Sequence, residues 1–274
     1  MTLSEIAKKL SLAGIEDHGC EAALLVCHFM NISRAVLLAD GRTKDYSSPA
    51  LEKAVEKRCT RYPLQYIIGK WEFFGLEFEV NENCLIPRPD TEILCEEAIR
   101  LLKPNGKLLD LCTGSGCIAA AVLHAGKNTV GIAVELYPET AALAEKNIKN
   151  LGLADRCRVI TGDACTDLFP DDEKFDVITA NPPYVTADEM NSLEPELDAE
   201  PSHALTDGGD GLSIIEAIVR IYSRHLVRDG VMLIEHGASQ ADAVKRIAEE
   251  NGLSCRCIKD YGGNDRCSVM EFGK

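Results

Sequence analysis

Apolar, β-prone runs alternate with helix-like stretches from residue 105 to residue 251, and that alternation restricts the fold more than any other feature of the chain. Strands are expected at Lys107–Leu111, Thr129–Glu135, Arg158–Asp163, Phe175–Ala180 and Gly230–Glu235. Helices are expected near 116–125, 138–151, Leu212–Val227 and Ser239–Asn251, with a short connector at 164–174. Strands separated in this way pair in parallel, with helices on both faces of one α/β sheet. Two further strands, Ser254–Lys259 and Cys267–Phe272, follow with only Asp260–Arg266 between them. A parallel return needs about a dozen residues or more, so the last strand must run antiparallel to its predecessor.

Upstream the pattern changes. In residues 1–70, Leu3, Ile6, Ala7 and Leu10 recur at helical spacing, as do Ala23, Leu24, Cys27 and His28. Ser33, and Ser48 followed by Pro49, are helix starts, and Pro63 ends the pattern. A small helical bundle serving docking or stability is expected here. Trp71–Val80 is aromatic and β-prone around Gly75, a hairpin signature. Residues 71–86 are therefore expected to link the bundle to a catalytic domain over 87–274. Within Asn83–Glu92, Pro87 and Pro89 bracket Arg88, and Asp90 or Thr91 is placed to cap a helix starting near Glu92.

The formal net charge of −15 is unevenly spread. Residues 1–70 carry ten Lys/Arg against eight Asp/Glu, and the remainder nineteen against thirty-six. Such acidity repels phosphate backbones and argues against a direct nucleic-acid substrate. No apolar run approaches the roughly 18–20 residues of a membrane helix. The N-terminus lacks the apolar core of a secretory signal, so a cytoplasmic protein without membrane association is expected. The twelve cysteines include no Cys-x-x-Cys pair and no zinc spacing. Several, such as Cys27, Cys95 and Cys117, lie in apolar stretches where a free thiol acts as a small hydrophobe. Reduced, structural cysteines and no metal site are expected.

Leu108–Ala119, LLDLCTGSGCIA, reads as an apolar strand, a glycine turn and a helix start. Gly114 and Gly116 let the backbone turn sharply and approach a ligand. A helix N-terminus there offers free N–H groups to a carboxylate or phosphate. Glu135 ends the next expected strand and can accept both hydroxyl protons of a ribose. Cys112, Thr113, Gly114, Ser115, Gly116 and Glu135 are therefore candidate contacts to a nucleoside cofactor. Gly114–Ala119 also satisfies the dinucleotide pattern, so the loop alone leaves a nicotinamide cofactor and S-adenosylmethionine equally open. The antiparallel last strand favours the second, since methyltransferase sheets end this way and ordinary dehydrogenase sheets do not. Asp163, ending the third expected strand, and the N–H of Ala164 are placed to meet an adenine edge. An aspartate at that point is also a common helix cap.

Asn181-Pro182-Pro183-Tyr184 follows Phe175–Ala180 directly, at the carboxyl end of a strand, where such sheets bind ligands. An amide or aromatic amine nitrogen is a poor nucleophile because its lone pair is delocalised. A site that methylates it must hold both N–H groups and aim the nitrogen. The Asn181 side-chain oxygen can accept one proton and the Pro182 carbonyl the other. Pro182 and Pro183 stiffen the backbone that carries these acceptors, and the Tyr184 ring can stack on the flat group. Acceptors aimed at the nitrogen stabilise the positive charge that develops there. No strong base is needed, since the N-methylated intermediate is far more acidic than the starting amide. The plainer alternative is a rigid Asn-Pro turn without chemistry.

Together these residues resemble the HemK/PrmC-type release-factor glutamine N5-methyltransferases. Leu85–Glu92, LIPRPDTE, looks like the family's signature before the catalytic domain. Asp110–Gly116, Glu135, Asn181–Tyr184, Glu235-His236-Gly237 and Asp260–Arg266, DYGGNDR, fall in the family's order. Asn181–Tyr184 alone is shared with DNA adenine methyltransferases, whereas the full set is much narrower. The resemblance covers nearly the whole chain, the helical part by character only. It implies an α/β fold: a Rossmann-like class I methyltransferase sheet with its last strand antiparallel, and a small N-terminal helical-bundle domain. It implies S-adenosyl-L-methionine as cofactor, S-adenosyl-L-homocysteine as product, and class 1 peptide chain release factors as protein substrate, methylated on the glutamine of their Gly-Gly-Gln tip. Cofactor contacts are implied from Cys112, Thr113, Gly114, Ser115, Gly116, Glu135, Asp163, Ala164 and Asn181. Substrate contacts are implied from Asn181, Pro182, Pro183 and Tyr184, with Asn181, Pro182 and Tyr184 in the catalytic role. Two departures stand out: Cys112 where many members carry glycine, and Ala164 where some put an aromatic against adenine.

Arg88 reads either as a substrate-site residue or as half of an ion pair with Glu92 or Asp90. His236 and Tyr261 read more simply as a core histidine and a loop tyrosine, and the acidic loop Glu194–Gly211 as a lid, a partner surface or a connector. The competing functions are methylation of a ribosomal-protein glutamine and of adenine N6 in nucleic acid. Outside methyl transfer, a nicotinamide oxidoreductase or a non-catalytic cofactor-binding protein shares only part of the pattern.

Overall fold

Thr2 begins the first helix with a reciprocal cap: its hydroxyl accepts from the Glu5 N–H at 3.2 Å, and its own N–H donates to the Glu5 carboxylate at 2.8 Å. The computed structural model describes residues 1–41 and 44–273. In it, α1 (Leu3–Leu12) is followed by α2 (His18–Met30), α3 (Arg34–Asp40), α4 (Pro49–Cys59) and α5 (Leu64–Ile68). Ser33 and Ser48 cap α3 and α4 by accepting from the Val36 and Leu51 N–H groups. Ile6, Leu10, Leu25, Val26, Leu51 and Val55 form the shared apolar core. Helix α2 turns Ala22, Leu25 and Val26 inward, whereas His28, expected on the inner stripe, is exposed. That helix is apolar on more than one side, so spacing alone fits two faces, and packing against α1 and α4 selects between them. Arg58 is 4% exposed, and its charge is satisfied by Glu21 at 2.6 Å and Glu196 at 3.0 Å; Arg61 reaches the other Glu196 oxygen at 2.7 Å. Glu194–Ala199 accordingly group with Met1–Lys70 as one compact unit, and Trp71–Leu193 with the chain from Glu200 onward form the other.

A two-stranded hairpin, β1 (Lys70–Phe73) and β2 (Leu76–Glu79), turns at Phe74 and Gly75, both at positive φ. After α6 (Glu92–Leu101) come β3 (Lys107–Leu111), α7 (Cys117–Ala125), β4 (Val130–Glu135), α8 (Pro138–Asn150), β5 (Cys157–Thr161) and β6 (Phe175–Ala180). The chain ends with α9 (Ser213–Tyr222), β7 (Leu226–Glu235), α10 (Ala241–Glu250), β8 (Leu253–Lys259) and β9 (Asp265–Phe272). The seven strands lie in the order β5-β4-β3-β6-β7-β9-β8. Neighbours from β5 to β7 are parallel, and β9 runs antiparallel to both β7 and β8. Successive side chains enter opposite layers. Leu108, Val177 and Leu233 pack with α6 and α7, while Leu109, Ile178 and Ile234 pack with α9 and α10. This is the Rossmann-like α/β sheet with an antiparallel last strand that the sequence implies.

Boundaries differ where local polarity misleads. Strand β5 ends at Thr161, two residues before Asp163. Helix α9 ends at Tyr222 rather than Val227, and β7 already begins at Leu226, passing through Arg228-Asp229-Gly230. That polar stretch reads as a turn but is carried by a register shift opposite Phe175 and Val177. A Cβ at Gly230 would lie 3.0 Å from the Val227 carbonyl and 3.1 Å from that of Phe175, so a side chain here would press on the backbone at the irregularity. Among the described residues no single helix is long and apolar enough to cross a membrane.

Candidate active site

The chain runs outward from β3 through β4 to β5, then returns to β6 on the other side of β3. Loops leaving β3 and β6 therefore diverge at their carboxyl ends and leave a crevice. A cavity of about 240 Å³ occupies it, bordered by the loop after β3, Glu135 at the end of β4, Asp163 and Ala164 after β5, and Asn181 and Pro183 after β6.

The loop after β3 is held from below. Asp110 is fully buried and accepts from the Thr113 hydroxyl at 2.5 Å and the Thr179 hydroxyl at 2.7 Å, tying the loop to β6. Burial pushes its carboxyl up to about 6 against the pull of those hydroxyls. The Thr113 N–H donates to the Val134 carbonyl at 3.0 Å. The turn needs three left-handed residues, Cys112 (φ 56°), Gly114 (φ 56°) and Gly116 (φ 81°). Only the last two are glycine, so Cys112 carries conformational strain. Glu135 clamps the loop from the side: its carboxylate accepts from the Gly114 N–H at 2.9 Å and the Tyr137 N–H at 3.2 Å. Asp163 turns back to accept from the Cys165 N–H at 2.8 Å.

Across the crevice, the Asn181 Nδ2 donates to the Thr91 hydroxyl at 3.3 Å. Thr91, one of the two residues expected to cap α6, makes no side-chain cap bond; it is buried and accepts from Asn181 instead. None of the described residues donates to the Pro182 carbonyl. The Tyr184 hydroxyl donates to Glu235 at 3.0 Å, and the Tyr184 carbonyl accepts from Gln240 at 3.0 Å. Burial, then the neighbouring Glu235, pushes the Tyr184 phenol far above its ordinary range. Arg88 pairs with Glu200, not with Glu92 or Asp90. Glu200 also accepts from the Ile86 N–H at 3.0 Å, which fixes the segment before α6, while Glu92 accepts from the Phe74 N–H at 3.1 Å. Tyr137 and His203 stack with ring centroids 3.7 Å apart, and both border the cavity.

A family model described as the PrmC N-terminal domain matches residues 2–69, and one described as the methyltransferase small domain matches residues 90–235. The release factor glutamine methyltransferase of Thermodesulfovibrio yellowstonii is 37% identical over 272 residues, covering 93% of this chain and 92% of the relative. The chain belongs to the release factor glutamine methyltransferase family. A second family member, from Cereibacter sphaeroides, is 38% identical over 262 residues, covering 94% of this chain and 92% of its own. Among solved structures, a methyltransferase from Pyrococcus furiosus shares the fold with a TM-score of 0.54 at 19% identity, covering 72% of this chain and 89% of its own.

In this methyltransferase the cavity wall takes in Arg88, Cys112, Thr113, Gly114, Ser115, Glu135, Asp163, Ala164, Asn181 and Pro183. Gly116, Pro182 and Tyr184 are not among the residues that border it: Gly116 packs on α8, where an added Cβ would lie 3.4 Å from Ala144, and the Tyr184 hydroxyl bonds to Glu235. Sequence reasoning missed Tyr137 and His203, and named Thr91 only as a helix cap and Glu235 only as part of a motif. An aromatic two residues after the acid at the end of β4 was an available signal for Tyr137. Nothing local marks His203, which arrives from a loop whose sequence is merely acidic and turn-rich. His236 is buried and bonded to Ser268 at 2.9 Å, and Tyr261 is exposed with its hydroxyl on Glu96 at 2.7 Å.

Proposed function

We propose that the chain transfers a methyl group from S-adenosyl-L-methionine to the side-chain amide nitrogen (N5) of the glutamine in the Gly-Gly-Gln motif of class 1 peptide chain release factors, working in the cytoplasm. The observation that carries this is the setting of Asn181. Its Nδ2 is committed to Thr91, which leaves Oδ1 as an acceptor with no partner among the described residues, in a residue of the cavity wall. An acceptor suits an NH2 group and rejects a carbonyl. The relatives named above, aligned over nearly their full length, support the release-factor glutamine as the group it accepts.

The residues fit the cofactor. A Cβ added at Gly114 meets nothing, so the backbone there has open space beside it. Glu135 keeps carboxylate lone pairs beyond its two backbone bonds for a ribose. The loop Cys112–Gly116 would hold the amino-acid end, and Asp163 with the Ala164 N–H the adenine edge. Bound there, S-adenosylmethionine supplies a methyl carbon made electrophilic by its sulfonium. Asn181 Oδ1 and the Pro182 carbonyl accept the two amide N–H groups and stabilise the positive charge developing on the nitrogen. Tyr184, held as a neutral phenol, sets the height of the flat amide rather than taking its proton. The proton leaves to water after methylation.

The test incubates the protein with S-adenosylmethionine labelled in its methyl group and a release factor, the Gln→Ala variant of its tip, a ribosomal-protein mixture and duplex DNA. Label in the release factor and none in its variant is expected. Label in the variant, in a ribosomal protein or in DNA instead would overturn the assignment.

A further inference from the structure

Past Asn181–Tyr184 the chain stays tied to the loop that follows it. Val185 donates its N–H to the Leu205 carbonyl at 2.8 Å and Ala187 to the Gly209 carbonyl at 2.9 Å, so residues 184–187 run alongside residues 205–211. Asp207 shapes that loop by accepting from the Gly209 and Gly211 N–H groups at 2.8 and 3.0 Å. Both stretches are pinned by Gln240, which stands just ahead of α10 and is 7% exposed. Its Nε2 donates to the Tyr184 and Asp210 carbonyls, each at 3.0 Å, and its Oε1 accepts from the Gly237 N–H at 2.8 Å. Gly211 closes the joint at a φ of 74°; a Cβ there would overlap the Tyr184 carbonyl and lie 2.7 Å from Gln240 Nε2. The other end of the loop has its own anchors, Glu200 on Arg88 and the Ile86 N–H, and His203 on Tyr137.

We propose that Gln240 is a positioning residue that fixes the backbone of Tyr184 and so the place of its ring against the substrate amide. The inference rests on the function proposed above. A primary amide carries two donor hydrogens and one acceptor oxygen. Two carbonyls and one N–H face Gln240, so one orientation satisfies all three and the turned-over amide satisfies none. Tyr184 is thereby held at both ends, by its carbonyl on Gln240 and by its hydroxyl on Glu235 at 3.0 Å. Without the Gln240 donors, two carbonyl oxygens converge on one point with no hydrogen between them. They repel, the Tyr184 backbone swings away, and the flat substrate loses the surface that sets its approach to the methyl group. A displacement of about 1 Å at such a point costs on the order of 100-fold in rate. The cofactor side, anchored through Glu200 and His203, is left in place.

The test compares wild type with Gln240→Met, Gln240→Glu, Gly211→Ala and the Gln240→Met/Gly211→Ala pair. It reads kcat and KM on a release factor, the Kd of S-adenosylhomocysteine, and exchange of the Val185 and Ala187 amide hydrogens by NMR. Gln240→Met keeps the length of the side chain and loses its donors. Its kcat should fall on the order of 100-fold, with the Kd within about threefold, and the two amides, slow in wild type, should exchange faster. Gln240→Glu has the wild-type shape but aims an acceptor at two acceptors. Its kcat relative to wild type should be as low at about pH 8 and rise about tenfold toward about pH 6, as the carboxyl takes up a proton and regains a donor. A space-filling role would give no such slope. Gly211→Ala should reproduce the Gln240→Met losses, and the pair should be no worse than the poorer single variant. Near-normal turnover or unchanged amide exchange in Gln240→Met, a Gln240→Glu without the pH slope, a Kd weakened as much as kcat, or additive losses would each overturn the proposal. Failure of wild type to methylate a release factor would sink the substrate assignment alone, because the Val185 and Ala187 amides judge the Gln240 joint without any turnover.

Discussion

Asp110 gives a quantitative test of how the cofactor loop is anchored. It is completely buried under that loop, accepts from Thr113 and Thr179, and has its carboxyl pushed up to about 6 from 3.8 by burial. A carboxyl whose folded pKa lies above its unfolded value adds stability that is fully present below the unfolded value and is lost as pH rises through the folded one. Its contribution therefore declines between about pH 3.8 and 6 and stays flat above. A rise of about two units corresponds to about 3 kcal/mol in all. Roughly 2 kcal/mol of that falls between about pH 4.5 and 7.5. Asp110→Asn keeps an oxygen for the two threonines and removes the titration. Urea unfolding of both proteins at those two pH values should show the stability difference moving by about 2 kcal/mol toward the variant at the higher pH. Groups common to both proteins cancel in that comparison. A difference that does not change with pH would refute the reasoning, since it would mean that the hydroxyls fully compensate the buried charge.

Asn181→Ala should lower kcat on the order of 100-fold, as removal of one preorganised group does, while calorimetric affinity for S-adenosylhomocysteine changes little; methyl transfer left largely intact would remove Asn181 from its role. Gly116→Ala combines a left-handed φ of 81° with a Cβ 3.4 Å from Ala144; a loss of about 1–2 kcal/mol in urea unfolding is expected, and a neutral result would mean the turn relaxes. His203→Ala removes the ring stacked on Tyr137; S-adenosylhomocysteine should bind about fivefold more weakly, the worth of one aromatic pair, and an unchanged titration would show that the stack does not bear on the ligand.

The sheet was legible because its central strands are buried on both faces and read as unbroken runs such as Leu108-Leu109 and Val177-Ile178, and because short strand–helix units leave few topologies. The close of the sheet was legible from a connection too short for a parallel return. The beginning of β7 was not, because Arg228 and Asp229 look like a turn until the register shift beside Phe175 is seen. Within the site, residues sharing one loop with their partners were readable, as in the glycine turn above Asp110. Residues whose partner lies far along the chain were not. Arg88 meets Glu200 across 112 positions, and Asn181 meets Thr91 across 90. Spacing rules reach only a few residues, so for an ion pair of Arg88 they offer only the nearest acids, Asp90 and Glu92.

Strand β9 fills the slot between β7 and β8, yet it is made after both. While Asp265–Phe272 are still inside the ribosome, two finished strands each wait with a row of unpaired amides, the kind of edge on which foreign strands assemble. Until β9 pairs, β8 has no neighbour in the sheet and β7 is partnered on one side only, so these two hydrogen-bonding rows are satisfied together and by a single strand.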